Sequence, residues 1–376
     1  MVSPSAPPPS SLARVAARVS SIELLLDLVF VFTISQLAEI LVAQPTWHAL
    51  AQTAVLMAVV WWMYDAFAWL TNQARPDTTT ERLLLIGAMA AFLVMSLAVP
   101  DAFGDSGVVF AVSYLVVVAI HAGVFISSGG PAAARAMRRV LLTNTAVGAL
   151  LLTDAFVEGA ADWVLFVAPF GLFVVAGVIS RRSGAFDLGA SHFVERHGLL
   201  MIIALGESIV SVGAGLAGHE LDAAVIIGAI ATVAVVATLW WSYFAGTDDE
   251  RATETLGAAP AAERTSVALT AFYGAHLVML LGLVVLAAGL HLALVDTLAR
   301  PPRPAAWLMA GGVAAYLVGN AEYRRELGLG PWRGRLAAAA CCAASGLVGL
   351  AAPTVVQLVV LVAVPATALV LEGRRS

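Results

Sequence analysis

The chain has no lysine; all 20 of its basic residues are arginines. A retinal or pyridoxal Schiff base and the phosphate-gripping lysine of a P-loop each need a primary amine, so those chemistries are excluded. Cysteine is almost as scarce. Cys341 and Cys342 are neighbours on one expected helix, a placement that makes neither a metal cage nor an ordinary disulfide. Only 12% of residues are charged, against 60% hydrophobic and a mean hydropathy of +0.90. A soluble surface cannot be built from that composition, so the solvent is a lipid bilayer. The net charge of -5 then matters less than where the charges fall.

What is present is a succession of apolar runs, each long enough to cross a hydrocarbon core of about 30 Å. They predict an all-α integral membrane protein with about twelve transmembrane helices, at 21–42, 50–70, 83–100, 107–127, 138–157, 162–180, 193–215, 222–245, 266–290, 304–320, 335–352 and 354–372. Residues 1–20, rich in Pro, Ser and Ala, read as a disordered cytoplasmic tail and not as a cleaved signal peptide. Positive residues stay on the cytoplasmic side of short loops. With both termini cytoplasmic, 18 of the 20 arginines fall inside, and only Arg300 and Arg303 fall outside. The glycine-rich stretch Ser127–Pro131 lacks the strand and helix context of a phosphate cradle.

The two halves resemble each other. Trp61-Trp62-Met63-Tyr64 closes the second span, and Trp240-Trp241-Ser242-Tyr243 closes the eighth. Glu81-Arg82, Tyr114-Leu115-Val116 and Arg138-Arg139 are followed in the same order by Glu263-Arg264, Tyr316-Leu317-Val318 and Arg333 with Arg335. This order predicts two six-helix repeats, 21–182 and 193–372. Six is even, so the repeats are parallel, related by an axis along the membrane normal.

The acids concentrate in the first and seventh spans, which occupy equivalent places. Glu23 and Asp27 are four residues apart and share a helix face, where like charges repel unless paired or protonated. Glu195 and Glu207 are twelve apart, roughly 18 Å along the axis, which puts one at the cytoplasmic mouth and the other past the midplane. An ionised group at the centre of a membrane helix costs about 2.5–3.5 kcal/mol, so Glu207, with Ser208 beside it, is the first candidate for a working group. Arg196 suits an ion pair or snorkelling as well as substrate contact. His276 sits mid-span, where an imidazole can relay protons or make an inter-helix hydrogen bond. Asp65 reads as a helix-end polar group, His121 as structural, and the tryptophan and tyrosine clusters as an interfacial belt.

The Glu-x-x-x-Asp-Leu-Val-Phe-Val opening at Glu23, and the Glu-Arg-x-Gly-Leu-x-x-Ile-Ile-Ala-Leu-Gly-Glu-Ser run from Glu195, resemble the bacterial low-temperature-requirement protein A family over about residues 20–372. Trp61, Tyr64, Asn72, Arg82, Pro100, Trp241, Tyr243, Phe244 and His276 also fit that family's pattern. Leu25 and Leu26 depart from it, standing where aromatic residues are usual, and His197 stands where the pattern varies. The resemblance implies a multipass protein of the bacterial inner membrane, linked to growth in the cold.

Three functions fit these residues. A secondary transporter or ion-coupled carrier accounts for repeats, buried acids and short loops together. In that reading Glu207 accepts a proton or cation, Glu23, Asp27 and Glu195 with Arg196 form an acid cluster on the cytoplasmic side, and His276 relays. An enzyme acting on a lipid carrier would need a metal cluster or a head-group domain, and the sequence offers no ligand spacing for one. A structural protein of the cold membrane would tolerate neutralised acids. We expect the carrier: not an enzyme, without cofactor or metal, its partners the bilayer and a small solute or ion, with no nucleic acid. Oligomeric state has no sequence signal here.

Overall fold

Backbone amides that have no water must be satisfied within their own segment, so apolar runs of this length close into helices. The computed structural model describes residues 19–73, 78–157, 160–183, 188–216, 218–244 and 246–374, and among these there is helix and no strand. The elements are α1 (Ser21–Ala43), α2 (Trp47–Gln73), α3 (Thr79–Ala98), α4 (Gly107–Asp154), α5 (Ala160–Ser183), α6 (Ala190–Gly215) and α7 (Ala223–Tyr243). A short helix α8 (Asp248–Ala258) precedes α9 (Ala261–Ala268), and then come α10 (Ala275–Ala293), α11 (Arg303–Glu326), α12 (Arg333–Ala351) and α13 (Thr354–Gly373). A π-helical turn, Leu269–Gly274, joins α9 to α10.

Nine helical stretches among the described residues are long and apolar enough to cross a membrane. The helix α11, expected as a span at 304–320, is long enough but ends in Asn320, Glu322, Arg324 and Arg325, and is not one of the nine. The described apolar parts of the fifth and sixth expected spans, Val140–Asp154 and Val167–Val178, are shorter. The predicted tail at 1–18 lies outside the described residues. Ser20, read as tail, instead caps α1, its backbone N–H donating to the Glu23 carboxylate at 2.8 Å.

The spans expected at 107–127 and 138–157 form one helical stretch of 48 residues, which if straight would reach about 72 Å. Its path reverses. The Cα of Gly148 packs against Leu115 and Tyr114, and that of Gly107 against Ala155. His121 reaches the carbonyl of Ala66 while Asn144 accepts from Trp62, one turn away on α2. Two antiparallel arms therefore lie within α4.

The core sits where α1, α2, α6 and α10 meet. Contacts at two levels fix the direction of α1 against α6: Glu23 and Asp27 meet Arg196, and further along Ser35 meets Glu207. Residue numbers rise together, so the helices are parallel. Between α10 and α11 they run opposite, Gly282 facing Gly312 and Ala275 facing Gly319, with glycines letting the backbones touch.

Candidate functional site

Asp27 and Glu23 point from α1 into a space closed by α2 and α6, and Arg196 enters it from α6. Arg196 is 0% exposed. Its Nη1 lies 2.8 Å from Glu23 Oε1 and its Nη2 3.0 Å from Asp27 Oδ1, while its guanidinium carbon sits 5.5 Å from the centre of the Tyr64 ring. Burial this complete rules out the snorkelling that its sequence position allowed. Tyr64 donates to Asp27 Oδ1 at 2.6 Å, and Arg196 Nη1 also reaches the Thr71 hydroxyl at 3.4 Å.

His192 joins the cluster from the start of α6. Asn72 clasps the start of α6, accepting from Gly189 N at 2.8 Å and donating to Gly189 O at 2.9 Å. That fixes its amide so that its nitrogen faces His192 Nδ1 at 3.4 Å. On its other side, His192 Nε2 lies 3.2 Å from Glu23 Oε1. Two carboxylates thus share one guanidinium, with the His192 ring on the Glu23 side. Glu23 is surrounded by donors from Ser20, His192 and Arg196. Glu23 Oε1, Asp27 Oδ2 and Arg196 Nε are each buried with no hydrogen-bond partner among the described residues, but Glu23 Oε1 has Arg196 and His192 within ion-pair distance, whereas the Arg196 pairing of Asp27 is to Oδ1.

Beside this cluster a second polar line crosses from α2 to α10. Asp65 accepts from Trp69 Nε1 at 3.1 Å and faces His197 Nε2 at 3.3 Å. His197 Nδ1 contacts the Phe193 carbonyl at 2.8 Å, and a carbonyl only accepts, so that nitrogen carries hydrogen. The ring of His276 is 5.1 Å from that of His197. His276 donates from Nδ1 to Ala271 O at 2.9 Å and accepts at Nε2 from Tyr243 at 2.8 Å, so both nitrogens are engaged. The π turn makes this possible by offering an i−5 carbonyl, and it also frees Tyr273 O for Trp61 Nε1 at 3.0 Å.

Glu207 is half-buried and accepts from Ser35 on α1 and from Ser211 at 3.1 Å. It too joins the first and seventh expected spans, about 16 Å beyond Arg196 along α6. Ser208 turns away and donates to Ala204 O at 3.3 Å. Glu195 does not reach the cluster; it is exposed, and its neighbour Arg196 takes the inward place. Glu195→Gln is accordingly expected to leave thermal stability within about 0.5 kcal/mol of wild type, read from melting of the purified protein.

Trp61 and Tyr64 are 0% and 1% exposed, so they are core residues and not an interfacial belt, whereas Trp240 and Trp241 remain exposed. Sequence reasoning gave Asp65 only a helix-end role, passed over His192, and placed Arg335 among cytoplasmic positive charges. Arg335 is 2% exposed and ties α12 to Glu372, Asn320 and the Ser242 carbonyl. Among the described residues, no three His, Cys, Asp or Glu side chains gather as a metal site would require.

The model of the bacterial low temperature requirement A protein, LtrA, matches residues 18–371. The chain belongs to the LtrA family. A curated relative, the uncharacterized protein RA0937 of Rhizobium meliloti (strain 1021), is 27% identical over 234 residues, covering 59% of this chain and 57% of that protein. The chain thus matches little more than half of that relative's length. No solved structure matches it. Family membership and the apolar helices make this a membrane protein of the LtrA type, and the motifs that carry the family likeness are the ones that build the Glu23–Asp27–Arg196 cluster.

Proposed function

We propose that this LtrA protein is a secondary carrier of a small solute or ion in the bacterial plasma membrane, driven by a proton or cation that loads at Asp27. The observation that carries this reading is the open carboxylate oxygen of Asp27 at the α1–α6 contact. Two buried carboxylates share one guanidinium, His192 sits by Glu23 alone, and Asp27 Oδ2 is left without a donor or cation. A proton or a small cation fills that place. Glu207 and Ser35 form a second polar step between the same two helices.

The neighbour pattern supports two parallel repeats moving about that contact. Helix α1 packs on α2 and α3 as α6 packs on α7 and α10; α3 packs on α4 as α10 on α11; α4 packs on α5 as α12 on α13; and α2 packs on α5 as α7 on α13. Counting α4 as two arms gives twelve crossings, with both termini on the side where the arginines gather, the cytoplasm. Five crossings lie between α1 and α6, and an even number would have made them antiparallel.

Flux in proteoliposomes across proton, sodium and potassium gradients tests the carrier. Wild-type protein is expected to show pH-dependent flux, reduced at least tenfold in folded Asp27→Asn and in Glu207→Gln. Undiminished flux in both variants would sink the acid-coupled reading. A structural role for the same cluster draws on the dense donor set around Glu23, and predicts instead that wild type carries no flux and that Asp27→Asn melts at or above the wild-type temperature.

A further inference from the structure

Where α2 finishes and α9 begins, a half-enclosed cavity of about 90 Å³ lies between α2, the two arms of α4, and α9 with its π turn. That is several times the space one water needs. Its wall includes Trp62, Trp69 and Phe125, three aromatic side chains, with Asp65 and His121 among them and Thr265 opposite. Asp65 is 4% exposed and Thr265 2%. The Thr265 hydroxyl has no hydrogen-bond partner, although a buried hydroxyl normally finds one. No arginine lines the cavity among the described residues.

We propose that this cavity binds a small organic cation, of the size of a methylated ammonium, with Asp65 as its counter-ion, the aromatic rings as its walls and the Thr265 hydroxyl as a polar contact. Rings present negative faces, and they take a cation best where it is desolvated, as here. An apolar wall with one carboxylate prefers a weakly hydrated alkylammonium to a metal ion, which would demand several oxygen ligands. His121 does not compete for Asp65: its Nε2 must donate to the Ala66 carbonyl, 3.0 Å away, because that oxygen only accepts. The groups that do face Asp65 are Trp69 and His197. Asp65 is the one carboxylate among the described residues that line the cavity.

The site is separate from Asp27 and Glu207, and it stands or falls on binding, whether or not the chain transports. Isothermal titration of the purified full chain with tetramethylammonium, and with tert-butyl alcohol as a neutral molecule of similar shape, tests it. Saturable binding of the cation and none of the alcohol is expected. Asp65→Asn, which keeps an acceptor for Trp69, and Phe125→Leu, which removes a ring yet stays apolar, should each weaken the cation about tenfold or more. Equal binding of cation and alcohol, unchanged in Asp65→Asn, would make the cavity a greasy cleft and overturn the proposal. So would the absence of binding to wild type, or cation binding that both variants leave intact.

Discussion

Arg196→Met is expected to destabilise the protein by about 3–5 kcal/mol, the cost of removing one partner from a buried ion pair. The guanidinium is wholly buried and serves both Glu23 and Asp27, so its loss leaves two acids unpaired on one face of α1. Arg196→Lys should fare little better. An ammonium is a point donor and cannot span two carboxylates as the planar fork does. Removing all the charges together is a different experiment. Glu23→Gln, Asp27→Asn and Arg196→Met combined should recover much of the loss, since neutral groups of similar shape often replace a buried ion cluster without penalty. Thermal and denaturant unfolding of the single and triple variants gives the answer. A single variant within about 1 kcal/mol of wild type would show that Arg196 does not neutralise these acids.

The same residues mark how far the sequence could be read. Glu195 and Arg196 are adjacent, and α6 is apolar enough all round that the pattern does not say which of them faces the core. Packing of α2 decides it: Asn72 pins Gly189, Thr71 and Tyr64 meet Arg196, and Glu195 is left outside. The parallel approach of α1 to α6 could be expected from their equal places in the two halves, but the partner of each acid could not. Trp61 and Tyr64 show the opposite limit. An aromatic cluster near a helix end looks the same whether it meets headgroups or a neighbouring helix, and only the approach of α10 at its π turn makes these rings core. The line from Asp65 through His197 towards His276 joins residues far apart in the chain, and no local spacing announces it. That α4 supplies two arms was legible, because the apolar run breaks between 127 and 138.

Gly312→Leu is expected to abolish folding, while Gly311→Leu, one residue away, is tolerated. A Cβ built at Gly312 would lie 2.5 Å from Leu286 N and 2.7 Å from Gly282 O, and these are backbone atoms of α10 that no rotamer change can move aside. At Gly311 the same Cβ meets nothing within 4 Å, and the position is exposed. Ordinary overpacking of a core costs about 1–3 kcal/mol because side chains and local backbone give way. Here the whole of α10 would have to retreat from α11, breaking the matching contacts at Gly282, Gly289 and Gly319 along the seam. In a bilayer no hydrophobic force pulls the helices back together, because lipid tails are as apolar as the packed faces, so close backbone approach is what holds this pair. Helix propensity works in favour of both substitutions, by up to about 1 kcal/mol relative to glycine, and so cannot separate them. The yield of monodisperse protein after detergent extraction, with melting of whatever survives, compares the two. Equal recovery would mean that α10 and α11 are not in backbone contact, and the antiparallel glycine seam would have to be abandoned.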